Sequence, residues 1–162
     1  MIFKKFFSPV YLFHLILFLS FSISMNNLIS FYYINLFFYA LTHILIVYLA
    51  FYYQHFTLYF VLMFYGVFID IFLLNEIGPH LIVFISLLVI LTYTKKNLFN
   101  INPNYIFIII LLIVFAMYLF EMVIADIIFN YSFEFFKFFQ LSLISSVIIY
   151  PIILFLSKID SN

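Results

Sequence analysis

Phe64-Tyr65-Gly66-Val67-Phe68-Ile69-Asp70-Ile71-Phe72-Leu73-Leu74-Asn75-Glu76-Ile77-Gly78 holds both glycines of the chain, with an aspartate between them in an otherwise apolar run. An ionised carboxylate near the centre of a membrane helix costs roughly 2.5–3.5 kcal/mol on insertion scales, and less toward the interface. Something must therefore hold Asp70 in place. Gly66 precedes it by four residues and shares its helix face, so the acid borders a patch without side chain where a second helix can approach closely.

Outward from this stretch the chain stays apolar. With 69% hydrophobic and 7% charged residues, 162 residues carry too little polar surface to solvate a globular body, and the apolar runs are long enough to cross a bilayer. The composition predicts an all-α, polytopic membrane protein. All six basic residues are lysine, and Phe, Ile, Tyr and Asn are heavily used, as codon drift in an AT-rich genome would produce. The aromatic excess is thus no sign of a binding box. The absence of cysteine excludes disulfides, thiolate metal sites and thiol nucleophiles, and a net charge of zero argues against a nucleic-acid partner.

Apolar runs read against their polar breaks predict a bundle of six spans in one transmembrane domain over 1–162: 9–25, 31–53, 57–74, 80–94, 105–129 and 138–157. Asn26-Asn27, Gln54-His55, Asn75 to Pro79, Lys95 to Asn104 and Asn130-Tyr131-Ser132 mark the breaks. With a cytoplasmic N-terminus, Lys4, Lys5, Lys95, Lys96 and Lys158 fall inside and Lys137 alone outside, as the positive-inside bias requires. Both termini are then cytoplasmic. The first span has a rival reading as a cleavable signal peptide, with Lys4-Lys5 ahead of an apolar stretch and Ser22-Ile23-Ser24 after it. Cleavage would leave the orientation of the other spans unchanged.

In this orientation Asp70, Glu76, Glu121 and Asp126 crowd the outer side. Glu121 and Asp126 are five residues apart, about 140° around a helix, so they cannot both face one neighbour. Asp70 has two candidate partners: His80, across the Gly78-Pro79 turn, and Lys137. The functional readings of such acids are a proton or cation relay, a substrate site, or a polar anchor for another membrane protein; the plain reading is structural glue between helices. His14, His43 and His55 form no pair at i, i+4, so no metal site is expected, and Thr42-His43 should bond to a backbone carbonyl or a neighbouring helix. Tyr32, Tyr33, Tyr52, Tyr53 and Tyr131 cluster near span ends, as an interfacial belt does.

Pro151 lies inside the last span and frees the carbonyl of Val147, which Ser145, Ser146 or water could satisfy. Ser142, Ser145 and Ser146 also make the outer half of that span small and able to hold another helix. Nothing suggests catalysis or a cofactor. There is no HExxH, no glycine-flanked second aspartate near Asp126 and no arginine to hold a phosphate-bearing lipid. No break is long enough to hold a soluble catalytic domain.

The quoted stretch resembles the signature of the rod-shape-determining protein MreD family, in which a glycine precedes an aspartate by four and a second glycine follows it by eight. Tyr150-Pro151-Ile152-Ile153-Leu154-Phe155-Leu156-Ser157-Lys158 resembles the closing aromatic-proline-apolar-basic pattern of that family. Two residues after the second glycine, where relatives often carry a basic residue, stands His80. By resemblance Gly66, Asp70, Gly78 and Pro151 carry over. The resemblance implies a non-enzymatic scaffold of the bacterial inner membrane, in the cell-wall elongation machinery. Its implied partners are a bitopic MreC-like protein, the actin-like MreB and the peptidoglycan polymerase and transpeptidase pair. A six-helix body is also similar to the substrate-binding subunits of energy-coupling-factor vitamin transporters, which gives the alternative reading.

Overall fold

The computed structural model describes residues 32–53, 56–74, 78–98, 105–130 and 134–161. They form five helices: α1 (Tyr32–Tyr52), α2 (Phe56–Leu74), α3 (Pro79–Leu98), α4 (Ile106–Phe129) and α5 (Phe135–Ser161). No strand occurs among the described residues. The expected first span, 9–25, and with it the question of its cleavage, lies outside them.

Four of the five breaks expected from the sequence separate two described helices, with ends that shift by a few residues for local reasons, and Asn26-Asn27 lies outside the described residues. α3 begins at Pro79, whose fixed φ and missing amide suit a first helical position. It runs past the apolar stretch into Thr94-Lys95-Lys96-Asn97-Leu98, because polar residues continue a helix even where they leave the apolar layer. α4 closes on Asn130, which takes the left-handed conformation at φ 53° and donates its N–H to the carbonyl of Asp126. Asparagine tolerates that conformation better than any other residue except glycine.

Three helical stretches, Tyr32–Tyr52, Ile106–Ile128 and Phe135–Lys158, are long and apolar enough to cross a bilayer, and shorter apolar stretches, Leu58–Ile71 and Pro79–Thr94, lie in α2 and α3. By length and composition this is a helical membrane protein. α1 is its axis. It contacts all four other helices, and every residue from Ala40 to Phe51 is buried. α4 and α5 are largely exposed, presenting Leu112, Phe120, Ile127, Val147 and Leu154 outward, as lipid-facing helices do.

Five hydroxyls inside these helices are satisfied locally. Thr42, Ser86, Thr92, Thr94 and Ser146 each donate to the carbonyl four residues back, at 2.7–2.9 Å. In an apolar surrounding this back-bonding gives each group a partner without a second helix.

Candidate functional site

The α2–α3 corner explains the glycine-aspartate-glycine spacing. The first amides of a helix have no partner inside it, and a side-chain oxygen at the N-cap usually supplies one. Gly78, the residue before Pro79, has no side chain to do this. Asp70 reaches across from α2 instead. Its Oδ2 accepts from the N–H of Gly78 at 2.9 Å and of Leu81 at 3.1 Å, and its Oδ1 accepts from the N–H of His80 at 3.1 Å. A carboxylate here also faces the positive end of the α3 dipole.

Gly66 makes the approach possible. A Cβ built on it would lie 2.5 Å from Leu81 Cα and 2.8 Å from Leu81 N, closer than real Cβ contacts. Any side chain at this position would push the start of α3 away from Asp70. The three residues therefore act as one device: Gly66 admits α3, Gly78 leaves its amides open, and Asp70 fills them. Asp70 is fully buried.

From the cap the polar contacts continue inward. Asp70 Oδ1 lies 2.6 Å from His80 Nδ1, so His80, not the exposed Lys137, is the side chain paired with this acid. His80 Nε2 lies 2.8 Å from the Tyr39 hydroxyl, which donates to Glu121 Oε2 at 2.8 Å. Glu121 Oε1 lies 2.7 Å from His43 Nε2, and His43 Nδ1 donates to the Tyr39 carbonyl at 2.8 Å. His43, His80 and Glu121 are all buried, on α1, α3 and α4.

Five hydrogen bonds thus join the four side chains of Asp70, His80, Glu121 and His43 through Tyr39, and each bond holds one proton. Two neutral imidazoles and a phenol bring three of those protons. The remaining two balance the two carboxylates, so a network with every bond made has no net charge. That is the state a low-dielectric interior tolerates best. Aromatic rings wall it: Tyr39 and Tyr118 lie 4.3 and 5.0 Å from the His43 ring, and Phe84 packs edge-on to both histidines. Tyr118 shares a hydrogen bond of 2.9 Å with Ser145 of α5.

No family model, curated protein or solved structure matches the chain.

Of the residues singled out from sequence, Gly66, Asp70, Gly78, His80 and Glu121 belong to this connected assembly. Asp126 does not: it is exposed, as its 140° offset from Glu121 requires. Pro151 is also exposed, midway along an unbroken α5. The serines expected to serve the carbonyl of Val147 are engaged elsewhere, Ser145 with Tyr118 and Ser146 with the carbonyl of Ser142. Ser142 Oγ is the one buried side-chain polar atom without a partner among the described residues. His14 and His55 lie outside those residues.

Sequence reasoning missed Tyr39, the centre of the network. It also placed His43 only as far as a carbonyl or a neighbouring helix; both are used. Spacing rules along one helix have no access to Glu121, 78 residues from His43. The available signal was the coincidence of an interior histidine, His43, and an interior acid, Glu121, in a chain with few polar side chains.

Proposed function

We propose that this protein is a non-enzymatic scaffold of the bacterial inner membrane, of the rod-shape-determining MreD kind, that supports the cell-wall elongation complex. The observation that carries this reading is the use of Gly66, Asp70 and Gly78 as a single internal fastening between α2 and α3. The spacing that resembles the family's signature thus joins two helices in this chain, which supports a role in shaping a membrane body. Asp70 in this reading orients α3, and the partner meets a surface that the fastening shapes.

The full topology belongs to the same proposal: six spans, both termini cytoplasmic, in the inner membrane. Partners are a bitopic MreC-like protein and, through it, the actin-like filament and the polymerase and transpeptidase pair. Exposed apolar faces on α4 and α5 offer area for lipid or for a single-span partner helix.

Depletion in the native host is expected to give rounded cells, and affinity capture from the membrane fraction to recover the coiled-coil bitopic protein. Recovery instead of two ATPases and a transmembrane coupling subunit, with tight vitamin binding by the purified chain, would replace this reading with the transporter subunit.

A further inference from the structure

We infer that His43, His80 and Glu121 form a buried binding site for one divalent transition-metal ion of the zinc class, clamping α1, α3 and α4 together. The inference is independent of the scaffold reading. One ligand atom from each residue lies within 4.8 Å of the others, from three different helices. Ligands about 2.1 Å from a tetrahedral zinc stand about 3.4 Å apart. The contacts of 2.7 Å between His43 Nε2 and Glu121 Oε1 and of 4.0 Å between His80 Nε2 and Glu121 Oε2 fall on either side of this spacing, and the three ligand atoms together need only close from within 4.8 Å.

Two further features point the same way. Metal-bound histidines almost always donate their other ring N–H to a carboxylate or a backbone carbonyl, which fixes the ring and the tautomer. Here His80 Nδ1 faces Asp70 Oδ1 and His43 Nδ1 faces the Tyr39 carbonyl, and both Nε2 atoms turn toward Glu121. The charge count also closes. A dication that takes the place of the protons on the two inward Nε2 atoms, releasing two protons, leaves both Nδ1–H bonds and the Tyr39–Glu121 bond intact. The dication then balances Asp70 and Glu121, and the buried group stays neutral. Two imidazoles and a carboxylate suit zinc, cobalt, nickel or iron, whereas calcium and magnesium prefer all-oxygen sites. The Tyr39 hydroxyl is 2.8 Å from His80 Nε2 and from Glu121 Oε2; it borders the site without being one of its ligands.

The test uses the full chain in detergent, with any affinity tag removed and metal stripped by chelator. Co2+ is expected to bind at one equivalent per chain with the strong visible absorption of a four- or five-coordinate ion, to be displaced by Zn2+, and to raise the melting temperature. Glu121→Gln, which keeps the shape and bonding capacity of the side chain, is expected to weaken binding by more than about a hundredfold, beyond the loss typical of an outer-shell change. Tyr39→Phe keeps all three ligands and the outer-shell partners of both histidines but removes that of Glu121, and is expected to weaken binding by about 10–100-fold, less than Glu121→Gln. Failure of the parent chain to take up one equivalent, a weak spectrum of hydrated octahedral Co2+, parental binding by Glu121→Gln, or loss of binding in Tyr39→Phe as large as in Glu121→Gln would each overturn the assignment.

Discussion

Asp70 has more work than a single hydrogen bond, because its two oxygens serve three backbone amides and an imidazole. Losing an N-cap costs about 0.5–2 kcal/mol, and leaving a buried partner such as His80 unsatisfied costs about 1–3 kcal/mol more. Asp70→Leu should therefore lower the unfolding free energy by about 3 kcal/mol, measured by reversible unfolding in mixed micelles. Asp70→Asn keeps one acceptor oxygen and should lose roughly half as much. Equal losses would mean that shape alone matters at this position. Tyr39→Phe deletes one oxygen and leaves Glu121 Oε2 and His80 Nε2 each a partner short, so in the metal-free protein a loss of about 1–3 kcal/mol is expected. A neutral result would show that Tyr39 is dispensable to the network. The pairing of Asp70 with His80 is legible in the sequence because only a turn separates them. The remainder is not, because Tyr39 and His43 meet Glu121 only through the packing of α1 against α4.

Between elements, the tightest constraint is Gly66 against the first turn of α3. Alanine in a helix interior is normally favoured over glycine by about 0.8–1 kcal/mol. At Gly66 the added methyl meets Leu81 Cα at 2.5 Å, and backbone cannot rotate aside as a side chain can. Gly66→Ala should therefore be destabilising despite its better propensity, with an overpacking cost of about 1–3 kcal/mol against that gain. Phe64→Ala, at a residue 59% exposed on the same helix, should stay within about 0.5 kcal/mol. Thermal or micellar unfolding of the two variants side by side decides it; a stabilised Gly66→Ala would remove the close-packing argument. The small residue and its neighbouring acid were readable from four-residue spacing, and so were the helices, since polar breaks punctuate apolar runs clearly. That α1 is the axis was not readable. All five helices are apolar on nearly every side, and hydropathy does not distinguish a face turned to lipid from one turned to protein. Only Thr42 and His43, polar residues in mid-run, hinted that this helix is enclosed.

At the scale of the whole molecule, charge placement and helix length make one joint claim about how the chain crosses the bilayer. Lys137 and Lys158 stand near opposite ends of α5, 21 residues apart, which at about 1.5 Å per residue is about 31 Å, close to the hydrocarbon thickness. A single crossing by α5 would place them at opposite interfaces. α1 to α5 alternate in direction if each crosses once, so the α2–α3 corner at Gly78 lies on the Lys137 side and the α3 end at Lys96 on the Lys158 side. In the proposed six-span topology the lysine asymmetry, five residues against one, puts the Lys158 side in the cytoplasm. Because the chain has no cysteine, single substitutions label without background. Glu76→Cys in intact cells is expected to react with a membrane-impermeant maleimide, and Lys96→Cys only after the membrane is opened. Labelling of both positions from one side would break the alternation of spans, whereas Lys96 reacting from outside and Glu76 from inside would keep the alternation and invert the orientation drawn from the lysines.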